Sequence, residues 1–191
     1  MTPSTSDTMT DLLIRANRLK TTPRTGWAQR GVPAPESVAD HCHGVALITL
    51  ALLDLVDEPD LDRATALTMA ITHDLPESVT GDLSLGASRL LPKGAKATAE
   101  SAAMSELLGE TRVAASWRST WDTFESQETP EARLVRDADR LDLLVQALAY
   151  ERASGTLELE EFWSFAPEES FAFPASRALA GILRSRRPAR G

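Results

Sequence analysis

The chain has 191 residues, a length that fits one domain able to bury a core without disulfide staples. With 42% hydrophobic residues, 25% charged residues and a net charge of -8, it reads as an ordinary globular protein and is a poor match for long nucleic acid. A single cysteine, Cys42, excludes an internal disulfide framework and suits a reducing cytoplasm. The polar N-terminus lacks a secretion signal, and no apolar run approaches the roughly 20 residues of a membrane span.

Helical periodicity dominates the chain from the N-terminus onward. Asp11 is a candidate cap for the first helix, and the Thr-Thr-Pro sequence at 21–23 ends it. A loop is predicted for 23–35, and Ser37 with Asp40 then resembles a capping box. Pro76 should kink or restart the helix that it follows. The pattern predicts helices at about 12–20, 38–54, 64–73, 95–108, 113–125, 130–151 and 175–184.

No segment alternates apolar and polar residues over the length of a strand, so the fold class is predicted to be all-α. We expect one domain of about six to eight helices, with a core at about 12–151 and C-terminal helices at about 152–185. A basic tail that contains Arg184, Arg186, Arg187 and Arg190 is predicted to be disordered and solvated.

His73 and Asp74 are the most informative pair in the sequence. They follow an apolar helical run, and an imidazole beside a carboxylate offers mixed nitrogen and oxygen ligands to a divalent metal ion. His41 adds a second imidazole, because apolar residues recur from it at helical spacing and it should therefore face the core. His43 should point elsewhere and is the weaker candidate.

Simpler explanations compete with a metal site at these positions. A lone histidine on an apolar stripe is more often a core residue that bonds a backbone carbonyl. Asp74 and Glu77 could form a capping or ion-pair cluster at a helix end, although few basic residues accompany them. Asp82, which follows Gly81, could be only a turn residue.

A second group of acidic residues lies on the helix predicted at 130–151. Asp137 and Asp139 both have apolar neighbours at helical spacing, and periodicity does not choose between them. A solvated face paired with neighbouring arginines would explain these acids equally well. The metal hypothesis gains from this group because it needs another hard oxygen ligand.

His41, His73-Asp74 and Asp139 together resemble the H…HD…D signature of the HD-domain metal-dependent phosphohydrolases. The resemblance continues through four segments in the same order, at 23–27, 35–41, 73–82 and 131–139. These segments are similar to the bacterial 5'-deoxynucleotidase subgroup and its eukaryotic HD-domain relatives. Because the resemblance covers about residues 12–151, it implies a single HD-domain helical bundle.

The resemblance also implies one divalent metal ion, such as cobalt or manganese, and it selects Asp139 over Asp137. The implied metal ligands are His41, His73, Asp74 and Asp139. The implied catalytic acids, near the attacking water and the leaving group, are Glu77 and Asp82.

Substrate-binding residues follow less directly from the same resemblance. Arg24 and Trp27 match the loop that contacts the nucleotide, but in the bacterial enzymes this arginine and tryptophan are adjacent. Here Thr25 and Gly26 separate them, so either Arg24 or Arg30 could contact the phosphate. Trp27 could instead anchor the loop on the core. Glu125 matches the approximate position of a glutamate that reads the substrate.

The implied activity is hydrolysis of the 5'-phosphate of deoxynucleoside monophosphates by a metal-bound water. One alternative keeps the site but changes the substrate to another small phosphorylated metabolite, such as a specialised nucleotide, a triphosphate or a cyclic or alarmone phosphodiester. A second alternative is a non-catalytic dimeric nucleotide sensor or scaffold. We expect a cytoplasmic homodimer that binds a small nucleotide and neither long nucleic acid nor membrane.

Overall fold

A computed structural model describes residues 4–188 of the chain. Across these residues the regular structure consists of α-helices, two short 3-10 segments and one isolated bridge between Pro23 and Ser37. The all-α prediction is confirmed. The helices are α1 (Thr5–Ala16), α2 (Thr25–Gln29), α3 (Val38–Leu55), α4 (Arg63–Thr72), α5 (Glu77–Thr80), α6 (Leu85–Ser88), α7 (Ala95–Leu108), α8 (Ala114–Ser126), α9 (Pro130–Ser154), α10 (Glu160–Phe165) and α11 (Pro174–Ser185).

Local capping chemistry explains where the best predicted helix begins. The hydroxyl of Ser37 accepts the backbone N–H of Asp40 at 3.1 Å, and the Asp40 carboxylate accepts the backbone N–H of Ser37 at 2.9 Å. This capping box satisfies two donors at the start of α3. Helix α4 also begins at a side-chain cap, because the carboxylate of Asp62 accepts the N–H groups of Ala64 and Thr65.

Several predicted boundaries were wrong, each for a local reason. Helix α1 begins at Thr5 rather than near Asp11, because Ser4 and Asp7 form a capping box of their own. The predicted loop at 23–35 contains the short helix α2. Helices α6 and α10 were also missed, since four and six residues are too few to display a helical period.

Helix α9 forms the centre of the fold and contacts α3, α4, α8, α10 and α11. Its buried apolar residues join a large core with α3 and α4, and a smaller core lies among α1, α7 and the start of α3. Helix α3 is long and apolar enough to cross a membrane by length and composition alone, with a mean hydropathy of 1.4. It carries the buried His41 and packs on α4, α9 and α11, as a core helix does.

The basic C-terminal segment differs from the predicted solvated tail. Arg184 lies in α11 and donates to the carbonyl oxygens of Trp163 and Ala166 at 2.7 and 2.6 Å. Arg187 forms ion pairs with Glu151 and Glu160. These contacts correct the prediction of disorder for Arg184 and Arg187, whereas Arg190 lies outside the described residues.

Candidate metal centre

Three separate parts of the fold bring the predicted metal ligands together. His41 lies in the first turns of α3, His73 and Asp74 follow the last turn of α4, and Asp139 lies in α9. His41 Nε2 is 3.3 Å from Asp139 Oδ1 and 3.6 Å from Asp74 Oδ2. His73 Nε2 is 3.3 Å from the same oxygen of Asp74. These four side chains, 98 positions apart in sequence at their extremes, thus form one compact cluster.

Both histidines are held by their Nδ1 atoms. His73 Nδ1 lies 2.9 Å from the carbonyl oxygen of Ala70, and since a carbonyl only accepts, Nδ1 carries the proton. His41 Nδ1 lies 2.7 Å from Asp142 Oδ2. The two Nε2 atoms are buried and have no hydrogen-bond partner among the described residues. Two buried imidazole nitrogens that face carboxylates fit a divalent metal ion, which takes neutral imidazole and carboxylate ligands.

The charges of the cluster also suit a cation. Burial raises the pKa values of Asp74 and Asp139, but the neighbouring histidines outweigh burial and hold both pKa values well below the usual range. Burial and Arg24 lower the pKa of His41, but Asp139 and Asp142 outweigh them and raise it to about 10 in the metal-free protein. Both aspartates are therefore ionised at neutral pH, and a metal ion would replace the proton on His41.

The two candidate aspartates of α9 have different environments. The Asp137 carboxylate accepts the backbone N–H groups of Ala172 at 2.9 Å and Phe173 at 3.0 Å, just before α11. Asp137 thus connects two helices, whereas Asp139 lies in the cluster.

Cys42 also lies close enough to His73 and Asp74 to share a metal ion with them. However, burial raises the pKa of the Cys42 thiol and keeps it protonated, whereas a metal binds the thiolate.

A cavity of about 300 Å³ opens above the cluster. Asp74, Glu77 and Asp139 lie in its wall together with Arg24. The lining also includes further cations and apolar side chains, among them Arg30, Arg89, Lys96, Arg136, Arg140, Leu143, Phe162 and Phe165. The acidic chain therefore places a ring of positive charge around an acidic floor, which suits a small anion with an apolar portion.

Glu77 and Asp82 both line the cavity, but their contacts differ. Glu77 is 4% exposed, and its Oε2 atom has no hydrogen-bond partner among the described residues. Burial, followed by the charges of Asp74 and Asp82, raises the pKa of Glu77 to about 9. Asp82 accepts the backbone N–H of Thr25 and lies 3.7 Å from Arg24 Nη1. Glu77 therefore holds a proton at neutral pH, while Asp82 fixes the start of α2.

The structure places Arg24 and Arg30 at different levels of the cavity. Arg24 Nη1 lies 3.6 Å from Asp74 Oδ2, and its backbone N–H donates to the carbonyl of Glu36 at 2.9 Å. Arg30 is half exposed and forms an ion pair with Glu161. Arg24 is thus at the floor of the cavity, beside the predicted ligands, and Arg30 is at its edge.

Trp27 and Glu125 contribute in more limited ways. The indole of Trp27 is 1% exposed, donates to Glu36 Oε1 at 2.8 Å and packs on the ring of Phe162. Its burial supports the interpretation of Trp27 as a loop anchor, although it also borders the cavity. Glu125 lies in an adjoining cavity and is 3.7 Å from Arg136 Nη2.

Sequence reasoning missed several residues of the site. Arg136 and Arg140 were considered only as partners for acids on their own helix, yet both line the cavity. Asp142 was not singled out from the sequence, but it is buried and bonds His41. Glu36, which bonds Trp27, carried no signal beyond its place in the 35–41 segment. Their roles depend on contacts between helices, and periodicity along one helix does not show these.

The sequence profile of the HD domain matches residues 16–169. The chain belongs to the HD-domain family. This HD-domain protein is 34% identical over 153 residues to the 5'-deoxynucleotidase hdd1 of Schizosaccharomyces pombe, with 76% of this chain and 74% of the relative covered. It is 30% identical to the 5'-deoxynucleotidase HDDC2 of Danio rerio over 94% of this chain and 86% of the relative.

A solved structure shares the fold of this chain. A conserved hypothetical protein from Pyrococcus furiosus is 37% identical, with a TM-score of 0.77 over 93% of this chain and 98% of that chain. The resemblance to HD-domain phosphohydrolases is therefore confirmed, and so is the helical HD fold. The protein is an enzyme of the HD phosphohydrolase type, a metal-dependent class whose His and Asp cluster it contains.

Proposed function

We propose that this HD-domain protein is a metal-dependent 5'-deoxynucleotidase that hydrolyses the 5'-phosphate of deoxynucleoside monophosphates. The observation that carries the proposal is the pair of buried Nε2 atoms that have no hydrogen-bond partner within residues 4–188 and face ionised carboxylates beside a cavity with many cations. The named activity of the relatives from Schizosaccharomyces pombe and Danio rerio supports this choice of substrate.

One divalent ion, cobalt, manganese or a similar transition metal, is proposed to bind His41, His73, Asp74 and Asp139. Two imidazoles and two carboxylates suit such ions. When bound, the ion would lower the pKa of an attacking water and withdraw charge from the phosphoryl group. The protein itself keeps both imidazoles oriented through their Nδ1 atoms, so that Nε2 is available on each.

Arg24 is proposed to bind the phosphate. Its guanidinium lies beside Asp74 at the floor of the cavity, and Asp82 and Glu36 hold it from two sides. A planar guanidinium can bind two phosphate oxygens at once and neutralise their charge. Arg30 is proposed to act at the cavity edge, because its ion pair with Glu161 already occupies its guanidinium. The lining side chains Leu143 and Phe162 offer an apolar surface to the nucleoside.

Glu77 is proposed to supply a proton to the leaving 5'-oxygen. Burial raises the pKa of its carboxyl group to about 9 in the metal-free protein, and a carboxyl group that keeps its proton can act as a general acid. Its Oε2 atom is free of other hydrogen bonds among the described residues. Asp82, whose carboxylate accepts the Thr25 N–H, is proposed to position Arg24 rather than to transfer protons.

A substrate panel tests the activity. Protein loaded with manganese or cobalt should release phosphate from deoxynucleoside 5'-monophosphates faster than from ribonucleoside monophosphates, triphosphates or cyclic phosphodiesters. Arg24→Gln should lower kcat/KM about 100-fold, whereas Arg30→Gln, its matched control at the cavity edge, should lower it no more than about threefold. Faster hydrolysis of any other phosphorylated metabolite would replace the proposed substrate, and equal effects of the two variants would refute the role of Arg24.

We also propose that the protein is a cytoplasmic homodimer. Leu47, Leu50 and Leu55 on α3 are 60%, 41% and 58% exposed, and a second copy would remove such a surface from water. Light scattering coupled to size exclusion should give twice the mass of one chain. The single buried Cys42 suits a reducing compartment, and imaging of a tagged chain in its own cell would test the location.

A further inference from the structure

Asp142 is a buried acid outside the four predicted ligands, and it contacts one of them directly. Its side chain lies on α9, one turn after Asp139, and Asp142 Oδ2 is 2.7 Å from His41 Nδ1. His41 is 1% exposed and Asp142 is 7% exposed, so water does not compete for this bond. With Nδ1 held in this way, Nε2 lies 3.3 Å from Asp139 Oδ1 and 3.6 Å from Asp74 Oδ2.

Gly44 lies on the opposite side of the same contact. A Cβ atom at position 44 would be 2.0 Å from Asp142 Oδ1 and 2.8 Å from its Cγ, distances that real Cβ atoms essentially never show. Gly44 is in the interior of α3 and does not have a positive φ. Glycine is unfavourable in a helix interior, so the backbone gives no reason for it here. The space that it leaves is filled by the Asp142 carboxylate.

We propose that Asp142 is a positioning residue for His41, and that Gly44 provides the space in which its carboxylate can reach Nδ1. The carboxylate accepts a hydrogen bond from the Nδ1–H group of His41. This bond fixes the orientation of the ring and leaves Nε2 for the metal ion. Hydrogen bonds of this kind set the tautomer of metal-binding histidines and raise their basicity. The inference rests on the proposed metal centre. It adds that metal binding requires the contact of Asp142 on α9 with His41 and Gly44 on α3.

A competing use of the same atoms is a separate metal site. Glu36, His41 and Asp142 also lie close enough to hold an ion. However, Glu36 Oε1 accepts the indole N–H of Trp27 at 2.8 Å, and His41 Nδ1 is bonded to Asp142. An ion there would displace the Nδ1 proton and compete for the histidine that faces Asp74 and Asp139. The two arrangements predict different metal stoichiometries.

A double-mutant cycle tests the positioning role. Metal affinity is measured on the full chain by competition with a chelator, and the visible absorption spectrum of the cobalt form reports the ligand geometry. Asp142→Ala should weaken cobalt binding by about 10- to 100-fold and alter the spectrum. Gly44→Ala should weaken it to a similar extent, but should add no further loss to Asp142→Ala, because the clash disappears with the carboxylate.

Matched variants separate positioning from folding. Gly181→Ala in α11, where the nearest atom to the added Cβ is Glu168 Oε1 at 3.4 Å, should leave cobalt affinity unchanged. Asp142→Asn keeps the shape and an acceptor oxygen, and it should restore part of the affinity lost in Asp142→Ala. In the zinc-loaded wild type, two-bond ¹H–¹⁵N correlations of His41 should show a proton on Nδ1.

Three results would overturn the inference. One is wild-type metal affinity in Asp142→Ala, and another is an additive loss in the Gly44→Ala, Asp142→Ala double variant. The third is a wild-type stoichiometry of two ions that falls to one in Asp142→Ala. In each case the substrate panel on wild-type protein would still decide the proposed activity. A wild type that binds no metal would instead refute the proposed metal centre and this inference together.

Discussion

Two groups of acidic side chains in this fold have different hydrogen-bond partners, one around the partly buried Asp74 and Asp139 and the other around the buried Glu151. Glu151 Oε1 accepts the indole N–H of Trp163 at 3.1 Å and Arg187 Nη2 at 2.8 Å, and its Oε2 accepts Arg187 Nε at 3.1 Å. The first group includes polar atoms of His41, His73 and Glu77 that have no hydrogen-bond partner in the part of the chain that the structure describes.

The difference separates a structural acid from a functional one. Burying a charge is costly unless it is paired and hydrogen-bonded. At Glu151 the protein satisfies this requirement within the chain and thereby links α9, α10 and the segment after α11. At the candidate metal centre the described residues do not supply all of these partners, and a bound metal ion would supply the rest. The following variants should therefore act on function in one group and on stability in the other.

The largest expected effect comes from Asp139. Asp139→Asn should lower kcat/KM at least about 100-fold, because it removes a charged ligand from the centre where transition-state charge is stabilised. Asp137→Asn, two residues away on the same helix, should leave kcat/KM within about threefold and lower the free energy of unfolding by about 1–3 kcal/mol, because its carboxylate holds two backbone N–H groups. Steady-state kinetics and urea unfolding measure both. The reverse pattern would show that the two aspartates have been assigned wrongly.

A substitution at Glu151 should reduce stability without reducing metal affinity. Glu151→Ala should lower the free energy of unfolding by about 3 kcal/mol, because it leaves the Trp163 N–H without its acceptor and Arg187 with only the exposed Glu160 as an ion-pair partner among the described residues. Its metal affinity should equal that of wild type. The control is Glu106→Ala, which removes an exposed partner of Arg15 and should cost less than about 1 kcal/mol. Loss of metal affinity in Glu151→Ala would contradict this separation and show that the two groups of acidic residues act together.

A smaller effect concerns the pH dependence of stability in the metal-free protein. The pKa of Glu77 is raised from 4.5 to about 9 on folding, so between these values the folded state binds more protons than the unfolded state. The free energy of unfolding of the metal-free protein should therefore fall as the pH rises. Below about pH 4.5 both states are protonated and this loss vanishes.

Glu77→Gln isolates that contribution from other titrating groups. After treatment with a chelator, the free energy of unfolding should fall between pH 5 and pH 8 in both proteins. The fall should be smaller in the variant than in wild type by at least about 1 kcal/mol. The pKa of His41 is also raised and adds a loss of the same sign above about pH 6.5, but that loss occurs in both proteins and cancels in the difference. Parallel stability curves for the two proteins would contradict a raised pKa at Glu77.

Much of the fold could be predicted from sequence, because long helices with clear caps carry their own signal. The capping box of Ser37 and Asp40 located α3, and the apolar period located α7 and α9 closely. The four proposed ligand positions came from the resemblance to the HD-domain signature, and the structure brings these four side chains into one cluster. Short helices lack that signal, and α2 and α10 were therefore missed.

The residues around the ligands were harder to predict for a different reason. Asp142 and Asp137 are both buried acids on α9, yet one bonds an imidazole of α3 and the other bonds backbone before α11. Their roles depend on which neighbouring helix each one faces in three dimensions. Arg184 and Arg187 were taken for a solvated tail because a run of arginines gives no hint of Glu151 and Trp163 as partners.

The proposed ligands come from α3, the end of α4 and α9, and this distribution would affect more than catalysis. An ion that binds only the folded arrangement of three separated segments acts as a cross-link, and it stabilises the native state in proportion to the logarithm of its free concentration over its dissociation constant. Occupancy would then also protect the chain from proteolysis, which acts on the unfolded fraction. With metal ligands arranged in this way, the supply of metal in the cell would set the lifetime of the protein as well as its turnover number.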